Sequence, residues 1–209
     1  MTTRRAGELR DYYEAEATLR TRNTLSLRRV AAREAFIALI TAERRTTVLD
    51  IGAGPGLDGS GFTAAGLRYV GVDLAAGNGR IARGRGVVVI QATATNLPFR
   101  DGSFDAGWSM SALMHLRDLE VLTTLANLAG TLSDGAPCLF GMWGGSDDVE
   151  VEVEVDDRTI RGQRRRFHRR SLDHAVSLVE QLGPIERCEV WKGDDAWDYQ
   201  VVLARARRR

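Results

Sequence analysis

Residues 48–58, with the sequence VLDIGAGPGLD, decide the fold of this chain. The residues before the first glycine predict a buried strand, the glycines predict a tight turn, and Leu57 and Asp58 begin a helix. The next apolar run, residues 67–73 (LRYVGVD), ends on a single acidic residue, Asp73. A strand, a glycine turn and a helix, followed by a second strand that ends in a carboxylate, predict a nucleoside-binding site.

The spacing of the glycines favours a ligand that has a ribose but no phosphate at this turn. A dinucleotide-binding turn has the pattern G-x-G-x-x-G, and its helix N-terminus receives a pyrophosphate. In this chain, glycines alternate with other residues over 52–56, and Leu57 stands at the third glycine position of that pattern. Asp58 places a negative charge in the first helical turn, which would repel a phosphate there. Asp73 would accept hydrogen bonds from both ribose hydroxyls.

Apolar runs of strand length recur along the chain and predict a parallel sheet. They lie at residues 47–51, 67–72, 87–90, 104–108 and 136–143. Segments of helix length separate these runs, which indicates a sheet covered by helices on both faces. A helix over 27–42 precedes the first strand, and the runs 185–191 and 198–204 predict a closing antiparallel hairpin.

Taken together, these motifs resemble the class I S-adenosylmethionine-dependent methyltransferases. The resemblance rests on residues 48–56, on 71–73, and on 91–99 (QATATNLPF) followed by 101–105 (DGSFD). It implies an α/β fold with a Rossmann-like, doubly wound, mainly parallel seven-stranded sheet, a C-terminal antiparallel hairpin and an N-terminal helical lid. It also implies S-adenosyl-L-methionine as the cofactor and methyl transfer as the reaction.

The 209 residues are predicted to form one domain, with a lid (1–45), a cofactor-binding core (46–145), an inserted hairpin (146–170) and a C-terminal helix and hairpin (171–209). The net charge of +1 gives no general attraction to nucleic acid or membrane. The charged N-terminus contains no apolar run typical of a signal peptide or membrane span, so a cytoplasmic protein is expected. Two cysteines are too few for a cysteine metal site, and no metal is expected.

The resemblance implies that the cofactor lies beyond the carboxyl ends of the strands. Many family members have Asp at the position of Thr93, where it accepts a hydrogen bond from the adenine amino group. A Thr hydroxyl is uncharged and shorter, so the backbone of Ala94 is the more secure adenine contact. The residues expected to bind the cofactor are Asp50, Gly52, Ala53, Gly54, Gly56, Asp73, Leu74, Thr93, Ala94 and Ser109.

His115, which follows the fourth predicted strand, is the candidate general base. Methyl transfer from a sulfonium is an in-line displacement that depends mainly on alignment, so the chemistry does not require a base. A histidine that is hydrogen-bonded locally at a helix start is the alternative role. Trp143, at the end of the fifth predicted strand, is expected either at the substrate wall or in the core.

Tyr12 and Tyr13 lie in an N-terminal segment that folds over the cofactor in similar small-molecule methyltransferases. The resemblance implies that the two tyrosines close the pocket as substrate or lid residues, with Arg20 or Arg22 meeting the methionine carboxylate. Packing of an amphipathic helix is the alternative explanation for the same residues.

Residues 149–155 (VEVEVEV) alternate with a period of two and predict an amphipathic strand. The arginine-rich segment 158–170 follows and predicts a hairpin whose acidic strand pairs with its basic strand. A surface for an anionic substrate or partner is the alternative. The valine face would roof the active site or form the interface of a homodimer.

Absent motifs narrow the acceptor of the methyl group. The chain has neither the Asn-Pro-Pro-Tyr motif of amino-methylating nucleic-acid enzymes nor the Pro-Cys loop used on cytosine carbon. Transfer to a nitrogen or oxygen of a small molecule, in secondary metabolism, is the predicted function. RNA or protein methylation and a non-catalytic S-adenosylmethionine-binding module are the alternatives.

Overall fold

The structure is a computed structural model that describes residues 3–17, 24–154, 164–193 and 197–208. Six helices are described: α1 (Thr3–Ala17), α2 (Leu27–Ala42), α3 (Leu57–Ala64), α4 (Ala76–Gly84), α5 (Asp118–Thr131) and α6 (Leu172–Val179). The described strands are β1 (Thr47–Ile51), β2 (Arg68–Asp73), β3 (Val89–Gln91), β4 (Ala106–Met110), β5 (Pro137–Gly144), β6 (Val149–Glu154), β7 (Arg164–Arg169), β8 (Ile185–Trp191) and β9 (Asp198–Arg205). A 3₁₀ turn, Leu113–His115, lies between β4 and α5.

The main sheet has seven strands in the order β3-β2-β1-β4-β5-β9-β8. The first five are parallel to one another, and β9 is antiparallel to both β5 and β8. The predicted doubly wound, mainly parallel sheet with a closing antiparallel hairpin is therefore confirmed. Strand order reverses beside β1, between β2 and β4, so a ligand crevice is expected at the carboxyl ends of these strands.

The core lies on both faces of this sheet because its central strands are buried on both sides. All five residues of β1 are buried. Their side chains alternate, so that Val48 packs in the cluster with Phe36 of α2 and Leu49 packs in the cluster with Leu125 of α5. The glycine turn begins where β1 ends, at the carboxyl edge of the sheet.

The acidic and basic segments after β5 form a separate two-stranded antiparallel sheet. Val151 lies opposite Phe167, and Glu152 lies opposite Arg166 with 3.6 Å between their charged groups. The predicted pairing of the acidic strand with the basic strand is therefore present. The connecting residues 155–163, which include part of the arginine-rich segment, lie outside the described residues.

Helix α1 packs against α4 and β7, and it reaches across the crevice from the cofactor-binding core to the inserted hairpin. No helix in the described ranges has the length and hydropathy that a membrane span requires.

Candidate active site

A cavity of about 690 Å³ lies at the carboxyl ends of the parallel strands. It is bounded by the glycine turn, by the ends of β2 and β4, by the 3₁₀ turn, by α1 and by β7. The predicted site residues that line it are Tyr13, Gly52, Ala53, Gly54, Asp73, Leu74, Thr93, Ala94, His115 and Trp143. One cavity thus joins residues that the sequence assigned to the cofactor with residues assigned to the substrate.

Asp50 and Ser109, two of the predicted cofactor residues, do not line the cavity. The Asp50 carboxyl accepts a hydrogen bond of 2.6 Å from the Tyr69 hydroxyl, and its burial raises its pKa to about 8. The Ser109 hydroxyl donates to the backbone carbonyl of Ile51 at 3.0 Å. Alternation along the strands turns both side chains into the protein interior, where they support β1 and β4 beneath the site.

Gly56 and Tyr12 also lie outside the cavity lining. Gly56 is the N-cap of α3 with φ of 75°, and a Cβ there would come within 3.1 Å of Ala82, so this glycine serves the turn and the packing of α3. Tyr12 is buried, its hydroxyl donates to Glu16 at 2.9 Å, and burial raises the pKa of the hydroxyl. Tyr12 therefore fits the alternative of helix packing, whereas its neighbour Tyr13 faces the cavity.

The glycine turn brings bare backbone to the cavity wall. The amides of Gly52 and Ala53 both donate to the carbonyl of Val72, at 2.9 and 3.0 Å. Gly52 has φ of 74°, and a Cβ at this position would collide with the Cβ of Ala112. The turn can therefore approach both β2 and the segment after β4 only because residue 52 has no side chain.

The Asp73 carboxylate is held by three hydrogen bonds. Oδ2 accepts from the Gly54 amide at 2.8 Å, and Oδ1 accepts from the Ala75 amide at 2.9 Å and the Asn78 side-chain amide at 3.0 Å. A carboxylate can accept about four hydrogen bonds, so capacity for about one more remains. Asp73 is thus oriented before a ligand binds, and it has room for one of the two ribose hydroxyls expected from the sequence.

His115 is buried between two elements that are distant in sequence. Its Nδ1 lies 3.0 Å from the backbone carbonyl oxygen of Arg166, and its Nε2 lies 2.6 Å from the hydroxyl of Tyr13. A carbonyl oxygen only accepts, so the hydrogen-bond network assigns the proton of the neutral ring to Nδ1. Nε2 then accepts a hydrogen bond from Tyr13. Both of these partners lie far from His115 in the sequence.

Arg170 fixes the turn that carries His115. Its side chain is buried, Nη2 donates to the carbonyl of Leu116 at 2.6 Å, and Nη1 donates to the carbonyl of Leu113 at 3.4 Å. Its Nε donates to Asp118 at 2.9 Å. This role could not be predicted from the sequence, because Arg170 stands among several other arginines.

Aromatic side chains surround the end of the cavity next to His115. The Phe167 ring lies 4.9 Å from the imidazole and 5.9 Å from the Trp197 ring. Trp143 is 38% exposed and packs edge-on against Tyr199 at 5.1 Å, so it stands at the wall of the cavity and not in the core. Phe167 and Trp197 were not among the predicted site residues, because neither belongs to a recognisable motif.

Arg29 is an unpredicted cation at the glycine end of the cavity. It lines the cavity and donates to Asp58 Oδ2 from Nε at 2.8 Å and from Nη2 at 2.5 Å. Arg29 therefore compensates the charge of Asp58 beneath the turn. The expectation that no phosphate binds at this turn then rests on the glycine spacing and not on repulsion by Asp58. Arg20 and Arg22, which were expected at the methionine carboxylate, lie outside the described residues.

Methyltransferases are among the known proteins to which this chain is similar. Residues 49–140 match the family model described as a methyltransferase domain. The chain is 42% identical over 80 residues to a methyltransferase of Mycolicibacterium gilvum described as uncharacterized, covering 36% of this chain and 31% of that protein. It is 33% identical over 95 residues to a demethylmenaquinone methyltransferase of Thermobifida fusca, covering 42% and 40% of the two chains. The matches thus span less than half the length of these curated relatives.

A solved structure shows the same fold over nearly the whole chain. It is the 1,6-didemethyltoxoflavin-N1-methyltransferase of Burkholderia thailandensis, with bound 1,6-didemethyltoxoflavin and S-adenosylhomocysteine. The TM-score is 0.73 and the sequence identity is 20%, with coverage of 99% of this chain and 91% of that one. At this identity the likeness establishes the fold alone.

Proposed function

We propose that this chain, which carries a class I S-adenosylmethionine-dependent methyltransferase domain, transfers a methyl group to a nitrogen or oxygen of a small molecule. The observation that carries the proposal is one continuous cavity with two distinct ends. At one end lie the glycine turn and the oriented Asp73 carboxylate, and at the other end Tyr13 is hydrogen-bonded to His115.

The cofactor end suits S-adenosyl-L-methionine because each part of that molecule meets a fitting group. Asp73 would accept from the ribose, and the backbone of Ala94 would meet the adenine. The turn at Gly52 and Gly54 leaves space for the methionine part, and Arg29 offers a cation for its carboxylate. When bound, the cofactor supplies an electrophilic methyl group on a sulfonium.

The Tyr13–His115 pair supplies a route for the acceptor proton. When the acceptor is methylated, its proton would pass to the Tyr13 oxygen. The Tyr13 proton passes to His115 Nε2 in the same step. The resulting imidazolium keeps its Nδ1–H on the carbonyl of Arg166, which holds the ring in place. S-adenosylhomocysteine is the second product.

The size of the cavity supports a small acceptor. Cavities of about 300 to 1,000 Å³ hold drug-sized ligands, and 690 Å³ must here accommodate the cofactor and the acceptor together. Aromatic walls at Trp143, Phe167 and Trp197 suit a compact organic molecule. We place this acceptor in secondary metabolism and the protein in the cytoplasm. We also retain the prediction that the protein can form a homodimer.

Calorimetry with S-adenosylmethionine, S-adenosylhomocysteine and NAD⁺ tests the cofactor assignment. Both sulfur nucleosides are expected to bind and NAD⁺ is not, because the turn lacks the third glycine of the dinucleotide pattern. No binding of either sulfur nucleoside would reject the enzyme and the non-catalytic binding module together.

Transfer of labelled methyl groups to a panel of small nitrogen and oxygen nucleophiles then tests catalysis. Turnover is the expected result, and cofactor binding without turnover across the panel would favour the non-catalytic module. The RNA alternative predicts a different result. It requires turnover on RNA that falls steeply with salt, since phosphate contacts release counterions.

A further inference from the structure

We propose that Arg165 binds a carboxylate on the acceptor, so that the substrate is a planar aromatic carboxylic acid. This inference rests on the proposed function, because it concerns the acceptor end of the same cavity. Arg165 lines the cavity on β7, two residues before Phe167 and so on the same face of the strand. The Phe167 ring packs against His115 on one side and contacts the Arg165 guanidinium, so both groups lie at the acceptor end of the cavity.

Aromatic rings hold the Arg165 guanidinium in place. Its central carbon lies 4.8 Å from the centroid of the Tyr12 ring and 5.1 Å from the centroid of the Phe167 ring. Such contacts hold the guanidinium in position by cation–π attraction and do not use its N–H groups as conventional hydrogen-bond donors. The side chain is only 23% exposed, so its charge is felt in a site largely shielded from water.

Protein groups in the described ranges satisfy this guanidinium only in part. Its Nε is buried and has no hydrogen-bond partner among the described residues. The neighbouring carboxylate of Glu16 is 4.0 Å from Nη1, too far for a hydrogen bond, and its Oε1 accepts from Tyr12. Because Nε has almost no accessible surface, a ligand in the cavity would have to meet the Nη groups of Arg165. The planar fork of arginine matches a carboxylate, which can accept two parallel hydrogen bonds.

The charges that line the cavity point to the same chemistry. Its described lining contains two arginines, Arg29 and Arg165, and one carboxylate, Asp73. Arg29 is paired with Asp58 and lies at the glycine end, whereas Arg165 lies at the acceptor end. A bound sulfonium adds a further positive charge, so a negatively charged acceptor balances the site better than a neutral or cationic one. The surrounding aromatic side chains favour a planar ring as the rest of the molecule.

Binding of matched acids and amides tests the proposal. The protein is saturated with S-adenosylhomocysteine and titrated by calorimetry with 3,4-dihydroxybenzoate, 5-hydroxyindole-2-carboxylate and 8-hydroxyquinoline-2-carboxylate, each against its carboxamide. At least one acid is expected to bind about tenfold or more tightly than its amide, as expected for a hydrogen-bonded charge pair. The Arg165→Gln variant is expected to lose this preference, and Arg165→Lys to keep part of it.

Arg169→Gln is the matched control, because it removes the same charge from the same strand. Arg169 does not line the cavity and pairs with Asp147 at 2.6 Å, so this variant is expected to keep the preference for acids. Equal binding of acid and amide in every pair, or a preference that survives in Arg165→Gln, would overturn the assignment. Failure of S-adenosylhomocysteine to bind would instead overturn the proposed function. Unchanged affinity of Arg165→Gln for this nucleoside shows that the site still folds.

Discussion

The two ends of the cavity are built in different ways. The cofactor end comes mainly from one stretch of chain, β1 to the segment after β3, joined by Arg29 of α2, and relies on backbone amides, glycine conformations and one carboxylate, Asp73. The acceptor end combines side chains from α1, the 3₁₀ turn, β7 and Trp197, and its central pair, Tyr13 and His115, is separated by 102 residues. Recognition of the common cofactor is therefore local in sequence, whereas recognition of the acceptor depends on tertiary contacts.

Helix α1 links the two ends. Glu14 accepts a hydrogen bond of 2.7 Å from the Gly77 amide at the start of α4 and forms an ion pair with Arg80. The Gly77 amide lowers the pKa of Glu14, as expected for a carboxylate at a helix N-terminus. One position earlier, Tyr13 contacts His115. This double attachment supports the predicted role of α1 as a lid over both ligands.

The largest expected effect is a loss of turnover at the acceptor end without a loss of cofactor binding. His115→Ala should lower turnover about 100-fold or more, because the proton route through Tyr13 loses His115, its final proton acceptor. Tyr13→Phe should act in the same direction, since it keeps the ring and removes only the hydroxyl. Calorimetry should show unchanged affinity for S-adenosylhomocysteine in both variants.

His174→Ala is the control for this prediction, because His174 lies in α6 outside the cavity lining. It should retain turnover. A negligible loss of turnover in His115→Ala would leave alignment of the reactants as the whole mechanism.

The second effect should be confined to the cofactor end. Asp73→Ala should weaken binding of S-adenosylhomocysteine by about 1 to 3 kcal/mol, the range for a hydrogen bond to a charged group together with the groups it leaves unpaired. Titration calorimetry measures this change, and Asp101→Ala, at an exposed acid, is the control. Full affinity in Asp73→Ala would place the ribose elsewhere in the cavity.

Asp50 lies beneath the cofactor end, where it supports the turn but does not line the cavity. Burial, with Asp58 nearby, raises the pKa of Asp50 to about 8. Its carboxyl binds more protons in the folded than in the unfolded chain, so its contribution to the free energy of unfolding is lost as pH rises from about 4 to about 8. Asp50→Asn cannot ionise and still accepts from Tyr69.

We therefore expect Asp50→Asn to gain stability relative to the unmodified chain as the pH increases, while its cofactor affinity changes little. Urea unfolding at several values between about pH 5 and about pH 8.5 measures the first effect. If the unfolding free energies of the unmodified chain and of Asp50→Asn changed with pH in parallel, the raised pKa of Asp50 would be contradicted. A large loss of cofactor affinity in Asp50→Asn would show that Asp50 belongs to the binding site.

The smallest expected effect concerns the adenine contact. The Thr93 hydroxyl lines the cavity and lies 3.4 Å from the Thr95 hydroxyl, a weak contact. Thr93→Val should change cofactor affinity by about threefold or less, since the backbone of Ala94 is retained and tenfold corresponds to about 1.4 kcal/mol. A tenfold loss, measured by the same calorimetry, would show that the hydroxyl itself binds adenine.

Sequence patterns predicted the fold and most of the lining of the cofactor end because both depend on short segments. The alternation of apolar runs with helix-length segments predicted the sheet. The spacing of the glycines over 52–56, together with Asp73, predicted the turn. Asp50 and Ser109 were placed in the site because they belong to the right strands. Their side chains instead support the strands, and a sequence motif alone does not show which face each strand residue presents.

The acceptor end was harder to predict from the sequence. His115, Tyr13 and Trp143 could be named from their positions, yet nothing in the sequence showed that Tyr13 donates to His115. Arg165 and Arg170 belong to the same arginine-rich segment and have opposite roles. Arg170 donates to backbone carbonyls of the 3₁₀ turn, while Arg165 lies at the cavity wall, where its Nε has no hydrogen-bond partner among the described residues.

The sequence alone determined the doubly wound sheet, the glycine turn and the ligand class that the turn and Asp73 can bind, because local backbone geometry and hydrophobic periodicity carry that information. The tertiary structure decided which tyrosine faces the cavity, which ring nitrogen of His115 accepts, and which arginine of the basic segment lines the cavity. These properties depend on groups that meet only when α1 and β7 pack over the sheet. Their distances and burial, and not their order in the chain, set their chemistry.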